Sequence, residues 1–276
     1  MTRHAKTEAI IAAAIKILEL HRPMTVRQTY YQLVSRQVLE NSVSTYKSTC
    51  RALVAARKDG LIPWDWIEDR LRRPRHVSMW GGLAEFTDSA LRSYRRHVWD
   101  TQPVYIETWL EKDALSGIFE DALEPYGVTL NVGRGYDGWT SIKDAAERYS
   151  DDRAVTILYY GDFDPSGEDM VSLQERLTWF GARVQIIKCA LNRDDIDRYR
   201  LPPNFTKASD TRRARFVAEH GDISVELDAL PVDVLRERIV AEIEARLDLA
   251  ALGEIHALEG VEREHVRRAV ANAGVA

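Results

Sequence analysis

A chain of 276 residues is long enough to bury one large core or two ordinary ones, and 45% hydrophobic with 29% charged residues is the balance of a globular protein. With only Cys50 and Cys189 present, the composition excludes a disulfide framework or a cysteine-built metal cluster and suits a reducing cytoplasm. The longest apolar run near the N-terminus, Ile10 to Ile15, is far too short to span a bilayer and lacks a signal-peptide pattern, so no membrane partner is expected. The net charge of −5 is unevenly divided: residues 1–80 hold fourteen Lys and Arg against seven Asp and Glu, which makes that segment +7 and the remainder −12. A basic module on an acidic body predicts a DNA-contacting end and a different task elsewhere, and a cytoplasmic, nucleoid-associated location.

In chain order, Ala5 to Leu20 places Ile10, Ala13, Ala14, Ile17 and Leu18 at helical spacing, and His21-Arg22-Pro23 stops the helix. Thr25 caps a second helix through Ser35. Ser42 to Asp59 reads as a third, closed by Gly60. The aromatic stretch Leu61 to Ile67 reads as β-like and is followed by the basic run Arg70 to Arg75. Three helices and a short β element are the order of a winged helix-turn-helix over residues 1–75, with the third helix in the major groove. Lys47, Arg51, Arg57 and Lys58 on that helix are the expected contacts to double-stranded DNA. Any small helical bundle shares this order.

Residues 76–101 read as a helical connector. From residue 102 the period changes. Apolar runs Val104–Leu110, Val128–Val132, Val155–Tyr160 and Val184–Cys189 alternate with helical stretches Ala114–Leu123, Ile142–Tyr149 and Glu168–Phe180. This predicts an α/β, Rossmann-like domain with a mostly parallel sheet, extended at its C-terminal end by charged helices to residue 276.

Two acidic groups fall where such a sheet presents ligands, at the C-terminal ends of strands. The first run ends Leu110-Glu111-Lys112, and the third ends Gly161-Asp162-Phe163-Asp164-Pro165-Ser166-Gly167. Aspartates at i and i+2 beyond a buried strand aim at one point while Pro165 and Gly167 turn the chain. Carboxylates converging without His or Cys suit a hard cation, magnesium first, which would neutralise charge on phosphate oxygens. Acids capping helix N-termini are the bland alternative.

This pattern resembles the toprim domain of topoisomerases, primases and related nucleases, with Glu111 as the family's glutamate, Gly133 or Gly135 as its turn glycine, and Asp162 and Asp164 as its aspartates. The blocks LEKDAL, GRGYDG, GDFDPSG and KASDTRRARF…VELDALP are similar to the A subunit of topoisomerase VI in particular, with Asp137 departing from that branch's usual proline. The resemblance implies magnesium held by Glu111, Asp162 and Asp164, with Glu111 alternatively an acid–base group. The segment Val26-Arg27-Gln28-Thr29-Tyr30-Tyr31 resembles the same family's tyrosine motif, and its nucleophile maps to Tyr31; Gln28 stands where the family has aspartate.

Helical geometry points to the same residue. Val26, Tyr30, Leu33 and Val34 share an apolar stripe, whereas Tyr31 is turned about 100° from Tyr30, on a polar face with Arg27. Tyr30 is therefore expected inside and Tyr31 accessible. A phenol of pKa ~10 is a poor nucleophile, and the Arg27 guanidinium would favour the phenolate and steady a phosphate oxygen. The resemblance further implies a DNA-cleaving transesterase that forms a 5′-phosphotyrosyl bond. It implies a homodimer in which each tyrosine meets the partner's metal site, and a separate ATPase B-type subunit for strand passage. Two alternatives stay open: a metal-dependent nuclease acting without a covalent intermediate, and a non-catalytic DNA-binding protein. A primase fits less well.

Overall fold

The computed structural model describes residues 5–68, 77–133, 138–149, 153–167, 170–203, 210 and 212–272. The basic run 70–75, Gly135, Asp137 and residues 204–209 lie outside the described residues.

Three helices open the chain: α1 (Ala5–His21), α2 (Val26–Ser35) and α3 (Val43–Lys58). Ile10, Ile11, Ala14, Ile17 and Leu18 form the buried stripe of α1. Thr25 and Ser42 cap α2 and α3 through capping boxes, each completed by the side chain three residues on, Gln28 and Thr45. Beyond α3 the aromatic stretch is not a strand. Trp64–Trp66 form one 3-10 turn, and only Ile67 makes a β-bridge, to Met24. Arg57 explains the difference: its guanidinium stacks 4.2 Å over Trp64 and donates to the carbonyls of Trp64 and Ile67, which curls the segment back onto α3. The connector holds α4 (Leu83–Ser93).

The body is α/β. Strands β1 (Tyr105–Leu110), β2 (Thr129–Val132), β3 (Val155–Tyr160) and β4 (Val184–Ala190) make one all-parallel sheet in the order β2-β1-β3-β4. Every residue of β3 is buried, as both faces of the sheet are covered. Helices α6 (Trp139–Arg148) and α7 (Met170–Trp179) enclose Trp109, Ile157 and Tyr159 on one face. On the other face lie α5 (Ser116–Leu123) and α10 (Val232–Glu244), with α8 (Arg193–Tyr199) and α9 (Arg213–His220) between β4 and α10. The 24-residue α11 (Leu249–Asn272) closes the helical C-terminal region and packs on α4. The core of α1–α3 runs without a break into that of α5 and α10. From the central pair β1 and β3, the chain passes to β2 on one side and β4 on the other, so a crevice opens at the ends of these two strands.

Candidate functional site

Glu111 follows β1 and Asp162 follows β3, at neighbouring ends of the paired central strands. Glu111 Oε2 accepts from the Asp162 amide at 3.1 Å and from the Tyr159 hydroxyl at 3.5 Å. This approach requires Gly161, since a Cβ there would lie 2.7 Å from the same oxygen. Asp164 Oδ1 accepts from the amides of Ser166 and Gly167 at 2.9 and 2.8 Å, folding the loop into a tight turn. Gly167 is obligatory for that turn: its missing Cβ would fall 2.0 Å from the Asp162 carbonyl oxygen. Burial pushes the Glu111 carboxyl above its ordinary range, and the Asp164 charge adds to the effect. The three acids predicted to gather are neighbours.

Their carboxylates are not arranged as one cage. Among the described residues, no three His, Cys, Asp or Glu side chains surround a common ion position. Asp162 is turned aside: its Oδ1 accepts from the Leu227 amide at 2.8 Å and lies 2.9 Å from Lys112 Nζ. Lys112 also binds Glu226 and lies 2.9 Å from Asp228 Oδ2, so one ammonium is ringed by three acids. Asp228 is wholly buried, yet neither of its oxygens receives a hydrogen bond; the Lys112 approach has the distance but not the angle. Burial raises the Asp162 carboxyl to about 7; Lys112 opposes this, while Glu226 and Glu111 add to it.

Lys112, Glu226 and Asp228 were not singled out from the sequence. Their signal was slight: Lys112 adjoins Glu111, and Glu226 and Asp228 are acids at i and i+2 in an otherwise apolar stretch, Val225 to Leu230. Val225 bridges Phe163, which brings that stretch alongside the Asp162 loop.

The same stretch carries α2. The turn Leu227–Ala229 packs against α2, and Gln32 Nε2 donates to the Leu230 carbonyl at 3.1 Å. Seven consecutive α2 residues, Gln28 to Val34, are consequently buried, and Tyr31 is only 8% exposed. Tyr30 is inside as expected, its hydroxyl bound to Asn41, Thr45 and the Ser42 amide. Tyr31, expected to be accessible, is covered because α2 lies between two layers, whereas an apolar stripe buries only one face of a helix. Tyr31 and Arg27 line a cavity of about 170 Å³ together with Tyr30, Asn41, Ser42 and Tyr46.

Arg27 does not activate the phenol in this arrangement. Its guanidinium lies 5.5 Å from the Tyr31 ring centre but points at Glu226, with Nη2 2.6 Å from Oε2. Burial and the Glu226 charge raise the Tyr31 phenol to about 12, outweighing Arg27 and Lys112.

On α3, Lys47, Arg51 and Lys58 are exposed on one side of the helix, opposite the buried Thr49, Ala52, Leu53 and Ala56. Arg57 is not with them; it is committed to the turn after α3. No helix among the described residues is long and apolar enough to cross a membrane. Comparison of the chain with protein-family models, curated proteins and solved structures finds no match.

Proposed function

We propose that the protein is a DNA-cleaving transesterase of the topoisomerase VI A-subunit type, a tyrosine-bearing winged-helix module on a toprim-like body. The observation that carries the reading is the crowding of Glu111, Asp162 and Asp164 at two adjacent strand ends with Arg27 and Tyr31 at the edge of the same cluster. Donor chemistry fits magnesium in kind. The oxygens are anionic and hard, no donor reaches Glu111 Oε1 or Asp164 Oδ2 among the described residues, and the buried Asp228 carboxylate lacks donors. Glu111 and Asp164, with Asp162 once released from Lys112, would hold the ion, which supplies charge neutralisation at the phosphate.

The residues would divide the remaining work. Tyr31 Oη attacks a backbone phosphorus; the new P–O bond forms as the P–O3′ bond breaks, leaving a 5′-phosphotyrosyl link and a 3′-hydroxyl. The phenolic proton passes to a water molecule. The departing 3′-oxygen takes its proton from solvent water. Arg27 steadies a non-bridging phosphate oxygen, and Lys47, Arg51 and Lys58 contact flanking phosphates. A homodimer would offer one such site to each DNA strand, and a separate ATPase subunit would be needed for strand passage.

Incubation with supercoiled DNA and magnesium, stopped by denaturant, tests the reading. Protein covalently joined to a 5′ end is expected from the wild type and none from Tyr31→Phe. One observation favours a second reading, magnesium-dependent hydrolysis without a covalent intermediate: the Tyr31 phenol is raised to about 12 rather than lowered. Magnesium-dependent cleavage that Tyr31→Phe retains, with no adduct, would select that reading instead.

A further inference from the structure

Glu226 is joined to cations of both parts of the molecule, as is the more deeply buried Asp228, whose Oδ2 lies 3.9 Å from Arg27 Nε and 2.9 Å from Lys112 Nζ. Glu226 Oε2 lies 2.6 Å from Arg27 Nη2 on α2 and accepts from Lys112 Nζ beyond β1. An anionic oxygen held at once by a guanidinium and an ammonium has the surroundings of a non-bridging phosphate oxygen. Asp162 and Asp228 balance Lys112 from behind, and Asp228 is fixed and wholly buried. Glu226 keeps 27% of its side chain exposed and Arg27 44%. Arg27 also lines the cavity beside Tyr31, so the Arg27 side of the cation pair opens to solvent.

We propose that Arg27 and Lys112 form a phosphate-binding cradle, and that the Glu226 carboxylate occupies it until a phosphodiester displaces it. This rests on the nucleic-acid reading above and assigns two new roles, Lys112 as a phosphate-contacting cation and Glu226 as an internal competitor. A polyanion entering from the cavity side exchanges one anionic partner for another, so neither cation is left bare. Glu226 swings into solvent by side-chain rotation, while the backbone of its segment stays pinned through Leu227 and Val225.

The test is a binding cycle on the full chain with a short DNA duplex, without magnesium so that no cleavage intervenes. Glu226→Gln is expected to bind roughly tenfold more tightly than the wild type at low salt. Arg27→Gln should weaken binding, and in the Arg27→Gln background the Glu226→Gln gain should vanish. A gain of equal size in both backgrounds would reduce Glu226 to general charge repulsion and overturn the cradle. So would a Glu226→Gln chain that binds no more tightly while melting like the wild type. If Glu226→Gln fails to fold, Glu226→Asp takes its place: the shorter acid reaches the cations less well and should bind DNA more tightly than the wild type, and an unchanged affinity counts against the proposal. The adduct assay is a separate readout. Positive cooperation in the cycle without any 5′ adduct leaves the cradle standing and removes the transesterase, whereas an adduct without the cycle does the reverse.

Discussion

Glu107 and Glu111 sit four residues apart along and just beyond the same strand, and they are buried in opposite ways. Glu107 is wholly buried and surrounded by donors. Arg148 reaches it through Nε at 2.9 Å and Nη2 at 3.0 Å, and Asn131, Trp109, Tyr105 and Tyr149 add hydrogen bonds. At the end of the strand, Asp162, Glu226 and Asp228 share Lys112, Glu111 stands beside them on the Asp162 amide, and neither oxygen of Asp228 receives a hydrogen bond. The first arrangement is finished and holds α6 to the sheet. The second is short of positive charge and donors, which is the condition that favours capture of a cation or a proton. Burial alone does not distinguish a structural acid from a reactive one; the count of donors does.

Stability separates the two acids most widely. Glu107→Gln should cost about 3–5 kcal/mol in chemical denaturation, since it removes the charge that Arg148 and four other side chains serve. Asp228→Asn should cost less, about 1–2 kcal/mol, because it removes one ion pair with Lys112 but leaves that ammonium Asp162 and Glu226. Equal losses at the two positions would erase the distinction. Gly167→Ala comes next. A methyl group 2.0 Å from the Asp162 carbonyl oxygen must push the loop open, costing about 1–3 kcal/mol and, on the function proposed above, abolishing the adduct.

The pH response sharpens the contrast. Asp162 is raised to about 7 in the folded protein, above its unfolded value of ~3.9, so the folded state binds the extra proton between these limits. Its contribution to stability is therefore greatest below about pH 4 and is lost as pH rises through 7, with a slope of at most about 1.4 kcal/mol per pH unit. Asp162→Asn should flatten the denaturation profile between pH 5 and 8; a slope unchanged by this substitution would place the proton elsewhere. The smallest expected effect separates the two tyrosines. Tyr30→Phe should cost about 1 kcal/mol, because its hydroxyl is bound on all sides, and Tyr31→Phe less than about 0.5 kcal/mol, because no hydrogen bond reaches its hydroxyl among the described residues.

Most of the fold was legible in the sequence because its signals are local. Each of the four apolar runs became a strand within a residue or two, and Thr25 and Ser42 began their helices as capping chemistry requires. Helices α8 and α9 escaped notice, being only seven and eight residues long and lacking a sustained apolar stripe. The site was half legible. Glu111 and the aspartates announced themselves through strand ends and turn residues. Glu226 and Asp228 did not, since what makes them part of the site is the bridge from Val225 to Phe163, sixty-two positions earlier. The same long-range packing buried Tyr31, which no property of α2 alone foretells. At Gln28 the departure from the acidic residue of the resembled motif has a visible consequence: its amide oxygen accepts from the Thr25 amide at 2.5 Å, so a neutral side chain completes the cap.

The stretch Val225 to Leu230 works as a linkage in the mechanical sense. At one end Val225 is bonded to Phe163 in both directions, in the middle Leu227 holds Asp162, and at the far end Leu230 holds Gln32 one residue from Tyr31. A rod fastened at three points transmits displacement. A rotation of α2 that keeps these bonds moves the Asp162 carboxylate together with Tyr31, so the two side chains are coupled through one short segment.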